Sequence, residues 1–448
     1  MKIRFVTLGC KLNFAESSAL GRSLLASGHT RAEDGETADI CILNTCTVTD
    51  AADHKCRQAL SRLRRENPNA VIVATGCYAQ LTAERMAAKE RMAAKERPKG
   101  WNEADYIVGN DEKFDIPQLI EQISKQVAER PVVLATPIRE VETFHGALSF
   151  SRVDSEDEEQ RTTIADRSQR TRCFLKVQDG CNYFCTYCTI PYARGKSRNP
   201  YIADLVAEAQ KAICDGAKEI VLTGVNIADF GRSTGETFLQ LLHALDNLEG
   251  EYRLRIGSCE PNLLTTEIID FVADSRHIAS HFHIPLQSGS NEVLQIMKRH
   301  YTRELFAERV AYIRRRLPYA FIGVDCMVGV RGETEKRFND YLSFVQELDV
   351  SQLHVFTYSE RARTRMLEMD LPIVPPAERK RRSDILHSLS EQKTRAFYAA
   401  NNSRELIVLW ESRNAKGQMA GFTENYIRVT AAYESDKVNT FQKITYHQ

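Results

Sequence analysis

No stretch of this chain approaches the ~20 consecutive apolar residues that a membrane helix needs, so no membrane span is expected. Its start, Met1-Lys2-Ile3-Arg4-Phe5-Val6-Thr7-Leu8-Gly9-Cys10, lacks the apolar region and small-residue cleavage site of a signal peptide and reads as a strand. The expectation is a cytoplasmic protein. Neither sign of charge is in excess: 60 Lys and Arg stand against 60 Asp and Glu, which excludes wholesale electrostatic coating of nucleic acid and leaves only local basic patches. What is present is 448 residues, 43% hydrophobic and 27% charged, a soluble globular composition with material for roughly two or three domains. There are also twelve cysteines, which in a cytosolic chain are expected to bind metal or catalyse where they cluster. Cys41, Cys56, Cys173, Cys214, Cys259 and Cys326 sit mostly in apolar strand-like or helical settings and read as buried structural thiols.

Three of the remaining six lie in Cys181-Asn182-Tyr183-Phe184-Cys185-Thr186-Tyr187-Cys188, and no Cys or His follows before Cys214. A tetrahedral zinc site usually wants a fourth protein ligand nearby. A four-iron cluster, normally held by four cysteines, has one iron open to an exchangeable ligand when it has only three. A structural zinc knuckle is the alternative reading of the same loop.

The first third alternates apolar strands with amphipathic helices: Ile3 to Leu8, Ala15 to Ser27, Ile40 to Asn44, a helix after Asp50, then Ala70 to Thr75. That alternation predicts a parallel sheet covered by helices. Cys10, Cys46 and Cys77 fall at the C-terminal ends of three of these strands, the edge where ligands of open α/β sheets gather, so a second three-thiolate site is expected. The hexapeptide Arg-Met-Ala-Ala-Lys-Glu occurs twice between Arg85 and Glu96 and reads as an exposed helix; another amphipathic helix is expected from Ile116 to Ala128. Residues 146–170 turn to Ser, Asp, Glu, Gln and Arg, a polar linker.

Beyond the linker, a strand at Cys173 to Val177 is followed by five more, Glu219 to Thr223, Tyr252 to Gly257, His281 to Pro285, Phe321 to Val328 and Gln352 to Tyr358, with helices such as Ile202 to Asp215 and Arg303 to Arg316 between them. This predicts a partial β/α barrel whose strand C-terminal ends form the active face. Polar and small residues stand there: Thr223, Gly224 and Asn226; Ser258 and Glu260; His283 and Gln287; Gly329 and Arg331. A basic helix with Arg379-Lys380-Arg381-Arg382 follows Pro375-Pro376, and from about Asn401 short strands suit a small antiparallel barrel. Its Phe422 and Tyr426 read equally as base-stacking platforms or as barrel core.

Together, Cys10, Cys46 and Cys77, the Cys181/Cys185/Cys188 loop continuing into Ile190-Pro191-Tyr192-Ala193-Arg194-Gly195, and Gly421-Phe422-Thr423-Glu424-Asn425-Tyr426 resemble the methylthiotransferase family of radical S-adenosylmethionine (SAM) enzymes. The resemblance spans essentially the whole chain. It implies an α/β fold with an N-terminal methylthiotransferase domain (1–145) holding an auxiliary [4Fe–4S] cluster on Cys10, Cys46 and Cys77. A central radical SAM barrel with its basic helix (171–398) would hold a second [4Fe–4S] cluster on Cys181, Cys185 and Cys188, and a C-terminal TRAM domain (399–448) would grip RNA or protein. SAM, the second cofactor, would chelate the open iron, with Phe184, Tyr187 and the strand-end residues Thr223, Gly224, Asn226, Ser258, Glu260, His283, Gln287 and Gly329 as its cradle. One SAM would methylate a sulfur on the auxiliary cluster, and another would yield the radical that removes a carbon-bound hydrogen from the substrate. An electron donor such as flavodoxin or ferredoxin and a monomeric enzyme complete the expectation.

The local words Thr7-Leu8-Gly9-Cys10-Lys11-Leu12-Asn13 and Asn44-Thr45-Cys46-Thr47-Val48-Thr49 look like the branch that acts on N6-threonylcarbamoyladenosine beside the tRNA anticodon. The alternatives are the isopentenyladenosine branch, typically opening Tyr-Gly-Cys-Gln-Met-Asn, and the ribosomal-protein aspartate branch, typically Leu-Gly-Cys-Pro-Lys-Asn. Outside these enzymes stands a structural zinc or iron–sulfur RNA-binding protein. Carbon 2 of an adenine bears a hydrogen too weakly acidic for a general base at neutral pH, which suits a radical route. The threonyl carboxylate asks for cations, and Arg194, Lys196, Arg198 and Arg331 are the candidates. Gly329-Val330-Arg331-Gly332-Glu333-Thr334 departs from the family's usual Gly-Phe-Pro-Gly-Glu-Thr.

Overall fold

The computed structural model describes residues 1–33, 35–89, 100–123, 131–149, 171–413 and 417–448. They form two compact units: Met1–Gln169 with Phe174–Asn182 and Cys188–Pro200, and Arg170–Cys173 with Tyr183–Tyr187 and Tyr201–Gln448. The division differs from a simple cut at residue 170, because buried ion pairs tie Lys176 and Arg194 to Glu16.

In the first unit, strands β1 (Lys2–Thr7), β2 (Thr30–Arg31), β3 (Ile40–Thr45), β4 (Val71–Gly76), β5 (Tyr106–Val108) and β6 (Val132–Leu134) make one parallel sheet in the order β2-β1-β3-β4-β5-β6. Strand β3, Ile-Cys-Ile-Leu-Asn-Thr, is buried along its whole length because both sheet faces are covered. Cys41 and Leu43 point into a core with Leu60, Leu63 and Trp101, while Ile40 and Ile42 point to the other face with Leu20, Leu24 and Ile120. The covering helices are α1 (Lys11–Ala26), α2 (Asp50–Glu66), α3 (Cys77–Lys89) and α4 (Ile116–Ile123). Helix α2 starts on the Thr49 side chain, which accepts from the Ala52 amide, and carries Asp50 and Asp53 in its first turn and Arg64 and Arg65 in its last, matching the helix dipole. The end of the hexapeptide repeat, the rest of the helix expected to Ala128 and residues 150–170 of the expected linker lie outside the described residues.

The second unit contains the partial barrel. Strand β7 (Arg172–Lys176) is divided between the two units, β8 (Glu219–Thr223) and β9 (Arg253–Ile256) pair in parallel, and β10 (His281–Gln287), β11 (Phe321–Val328) and β12 (Gln352–Thr357) form a three-stranded sheet. Parallel bridges Leu254–Ile278 and Ser258–His283 join them. Between strands run α6 (Ile202–Cys214), α7 (Phe238–Asp246), α8 (Thr266–Asp274), α9 (Asn291–Ile296), α10 (Arg303–Arg316) and α11 (Glu335–Glu347). Thr237, Thr265, Thr302 and Thr334 cap four of these through their hydroxyls.

After α12 (Pro376–Ala400), strands β13 (Glu405–Arg413), β14 (Gln418–Thr423), β15 (Arg428–Ala432) and β16 (Phe441–Thr445) pair antiparallel in the order β15-β14-β13-β16. Buried Glu219 holds Arg253 (2.6 Å) and Arg255 (3.0 Å), and these arginines donate to the carbonyls of Phe422 (3.0 Å) and Thr423 (3.4 Å). The barrel is thus fastened to the C-terminal sheet. Tyr426, half-buried, packs against Phe321, His281 and Phe422 at the edge of the core, as the core reading expects. Among the described residues, no helix is long and apolar enough to cross a membrane.

Candidate functional site

Strand order places the first three thiols. The sheet reverses direction of growth between β1 and β3, and at such a switch point the loops leave a crevice beyond the strand C-termini. Cys10 follows β1 and Cys46 follows β3 at this point, and Cys77 opens α3 directly after β4. The register pairs Thr45 with Gly76, so Cys46 and Cys77 leave adjacent strands side by side. Gly9 (φ +109°) makes the approach possible: a Cβ there would sit 2.7 Å from Cys46 Cβ and 3.0 Å from its Sγ. Burial, with Cys77 beside it, pushes the Cys46 thiol up to about 11.

Arg194 opposes that effect. It ends the short helix α5 (Ile190–Arg194) just past Cys188, and its charge acts on Cys10, Cys46 and Cys77. Its guanidinium is 2% exposed and bonded to Glu16 (3.0 and 3.1 Å), Asp179 Oδ1 (3.0 Å) and Asn13 Oδ1 (2.6 Å). Glu16 also takes Lys113 (2.6 Å) and Lys176 (2.9 Å), and these cations overcome its burial and hold its carboxyl well below the usual range. Soft thiol donors from three strands beside a buried cation fit an anionic iron–sulfur cluster. Among the described residues, no three His, Cys, Asp or Glu side chains form a site for a single metal ion.

In the second cysteine loop, Cys181 and Cys188 belong to the first unit and Cys185 to the second. The Cys181 amide donates to Gly195 O (3.0 Å), and Cys188 Sγ accepts from the Ile190 amide (3.4 Å). A Cβ on Gly180 (φ +70°) would fall 1.9 Å from the Lys196 carbonyl, so Lys196 lies against the start of the loop. Within the second unit, buried Cys185 accepts from Arg299 Nη1 (3.2 Å), whose other nitrogens meet Glu260 and the Tyr301 hydroxyl (3.1 Å). Tyr187 joins this group through its hydroxyl at 3.4 Å from Arg299, while Phe184 is 38% exposed in a left-handed conformation (φ 48°).

The strand-end residues divide. His283 is held between Ser258 Oγ (2.7 Å) and Asp325 Oδ1 (2.8 Å), a chain across β9, β10 and β11. Thr223 and Asn226 are buried at the end of β8, with Gly224 between them, and Gln287 ends β10 with φ +63°. Gly329 follows β11 directly in a left-handed conformation (φ +77°). Its amide donates to Glu333 (2.8 Å), and a Cβ there would meet the Arg379 side chain at 2.3 Å. Two of the four expected carboxylate grips, Arg194 and Arg198, are corrected by their burial, and Arg331 has an acidic neighbour of its own. Arg194 is sealed among Glu16, Asp179 and Asn13; Arg198 is 5% exposed and spent on Asp179 and the carbonyls of Thr143 and Arg194; Arg331 is paired with Glu360 (2.9 Å). Lys196 is exposed. The basic run of α12 is likewise engaged, Arg381 and Arg382 by Glu335 and Glu378, and Lys380 by Asp384. Sequence reasoning missed Arg299, Glu16 and Asp179, which stand in no recognisable word; Glu16 and Asp179 show only as single charges beside apolar or glycine residues, and Arg299 lies within the basic run Lys298-Arg299-His300.

Residues 2–95 match the Uncharacterized protein family UPF0004, and residues 175–345 the Radical SAM superfamily. The threonylcarbamoyladenosine tRNA methylthiotransferase MtaB of Aquifex aeolicus (strain VF5) is 35% identical over 431 residues, 96% of each chain. A tRNA-2-methylthio-N(6)-dimethylallyladenosine synthase of Clostridium botulinum (strain Langeland) is 29% identical over 446 residues, 98% of this chain and 92% of that one. Among solved structures, the radical SAM methyltransferase TsrM of Kitasatospora setae shares the fold at a TM-score of 0.55 and 16% identity, over 79% of this chain and 72% of that one.

Proposed function

The chain belongs to the radical SAM methylthiotransferases, and from that premise we propose that it replaces the hydrogen on carbon 2 of N6-threonylcarbamoyladenosine in tRNA by a methylthio group. The observation that carries the reading is the meeting of Cys10, Cys46 and Cys77 at the switch-point crevice, in a chain that also carries the Cys181/Cys185/Cys188 loop. In this reading the first triad holds one [4Fe–4S] cluster and the second triad another, with residues 1–145, 171–398 and 399–448 as the methylthiotransferase, barrel and RNA-gripping TRAM modules. When bound, these clusters with SAM supply one-electron cleavage of the sulfonium and a transferable methylthio sulfur.

The chain's own residues do the rest. Arg299, braced by Glu260 and Tyr301, donates to Cys185 and fixes that ligand. Ser258 and Asp325 hold the His283 ring in one orientation at the barrel end. Lys196, exposed beside Gly180, pairs with the threonyl carboxylate. The threonyl group is charged and a dimethylallyl group apolar, so a pocket that pairs the first leaves a cation without its partner on the second. An electron donor such as flavodoxin or ferredoxin serves a monomeric enzyme in the cytoplasm.

Nucleoside mass spectrometry of tRNA from cells lacking this protein tests the substrate. The expected result is loss of 2-methylthio-N6-threonylcarbamoyladenosine with accumulation of its unthiolated precursor, the methylthio-isopentenyl nucleoside remaining normal. Loss of the isopentenyl form instead makes this an enzyme of the dimethylallyladenosine branch. Unaltered tRNA alongside an unmodified ribosomal protein makes the substrate a protein aspartate.

A further inference from the structure

The first unit encloses a network in which four cations meet two carboxylates. Lys113 and Lys176 bond Glu16, Lys176 also bonds Asp179, and Arg194 and Arg198 complete it. All six side chains are 6% exposed or less. Among the described residues, four positive charges against two negative leave two positive charges in excess. Burial lowers the Lys113 ammonium, but without it Lys176, Arg194 and Arg198 still outnumber the two carboxylates. Buried charge in excess is costly unless an anion completes it. The charge of Arg194 also acts on the three thiols of Cys10, Cys46 and Cys77.

The contacts are mechanical as well as electrostatic. Arg194 Nη2 donates to Asn13 Oδ1 (2.6 Å), and Asn13 Nδ2 donates onward to the carbonyls of Leu8 (2.8 Å) and Thr45 (3.0 Å). Leu8 stands two residues before Cys10, and Thr45 directly before Cys46. Ala193, the neighbour of Arg194 in α5, packs against Cys77 and has its carbonyl held by Asn110 (2.6 Å).

We propose that Arg194 is the positioning residue of the auxiliary three-cysteine site: braced by Glu16 and Asp179, it provides the counter-charge for a bound anionic cluster and locks the backbone of its ligand loops. The inference rests on the reading of Cys10, Cys46 and Cys77 as cluster ligands, and it removes Arg194 from substrate recognition.

The test uses the full-length chain carrying Cys181→Ala, Cys185→Ala and Cys188→Ala, reconstituted anaerobically so that one site remains. Iron per chain and the midpoint potential of the cluster, followed by electron paramagnetic resonance, are the readouts. A positive neighbour favours the more negative, reduced cluster, so Arg194→Met should lower the potential or lose iron in a folded chain, and Arg194→Lys should restore both in large part. Glu16→Gln removes an opposing charge and should raise the potential. Shifts in opposite directions cannot come from a generally loosened fold. Equal iron and equal potential in Arg194→Met and the parent, or shifts of the same sign in Arg194→Met and Glu16→Gln, overturn the proposal. Should Arg194→Met fail to fold, Glu16→Gln decides alone, an upward shift supporting and no shift overturning. A parent chain that folds but binds no iron instead removes the cluster reading itself, and the proposal with it.

Discussion

Lys196 sits between two arginines that its own neighbourhood has consumed. Arg194 and Arg198 both turn inward to Asp179, while Lys196 remains exposed with its backbone pressed on Gly180. An exposed ammonium beside the cluster loop has the charge and reach to hold a substrate carboxylate, and a hydrogen bond to a charged group contributes about 1.5–3 kcal/mol. Lys196→Ala should therefore lower kcat/KM for threonylcarbamoyl tRNA by about ten-fold or more, a loss carried mainly by KM. Steady-state kinetics on tRNA with and without the threonylcarbamoyl group reads this directly; equal losses on both substrates would take Lys196 out of carboxylate recognition.

Among the elements, the junction of β8 and β9 with β13 and β14 depends on one carboxylate. Burial would raise the Glu219 carboxyl, but Arg253 and Arg255 override it and hold it well below its ordinary range. A depressed carboxyl contributes stability that is fully present above the unfolded-state value of about 4.3 and is lost as pH falls through the lower folded value. Glu219→Gln leaves two buried guanidinium groups without their anion, which costs about 3–5 kcal/mol at pH 7. Denaturant titrations of the two proteins should show that gap at pH 7 and a smaller one at pH 4, where the parent begins to lose the same contribution. A gap that stays constant with pH would mean that Glu219 acts through packing alone. The same junction makes removal of the C-terminal strands a poor probe of RNA binding, since it would bare Phe321 and Phe397.

At the scale of the whole molecule, two cysteine triads imply two separable chemistries. Cys46→Ala should leave cleavage of SAM to 5′-deoxyadenosine in place while methylthio insertion stops, and Cys185→Ala should stop both. Replacing Cys181, Cys185 and Cys188 together should halve the iron of anaerobically reconstituted protein, and zinc in place of iron would return both triads to a structural role. The balanced overall charge and the internally paired α12 cations leave RNA affinity to local contacts, in keeping with the even count of acidic and basic residues.

Much of this architecture is written in local sequence. Apolar segments such as Ile40–Thr45 and Phe321–Val328 are strands because both faces are covered, and Cys10, Cys46, Cys77, Cys181, Cys185 and Cys188 stand in words short enough to be read without coordinates. The Thr caps and the strand-helix alternation likewise depend on neighbours a few residues away. The fate of the charges does not. Arg194 and Lys196 are two positions apart and chemically alike, yet one is sealed and the other exposed, because Glu16 lies 178 residues from Arg194 in the chain and only folding brings it near. Arg299 meets Cys185 across 114 residues, and Arg255 meets Glu219 across 36. Strand and helix follow from periodicity, which is local. Whether a buried charge has a partner depends on segments remote in sequence, so only the tertiary structure could assign the cations.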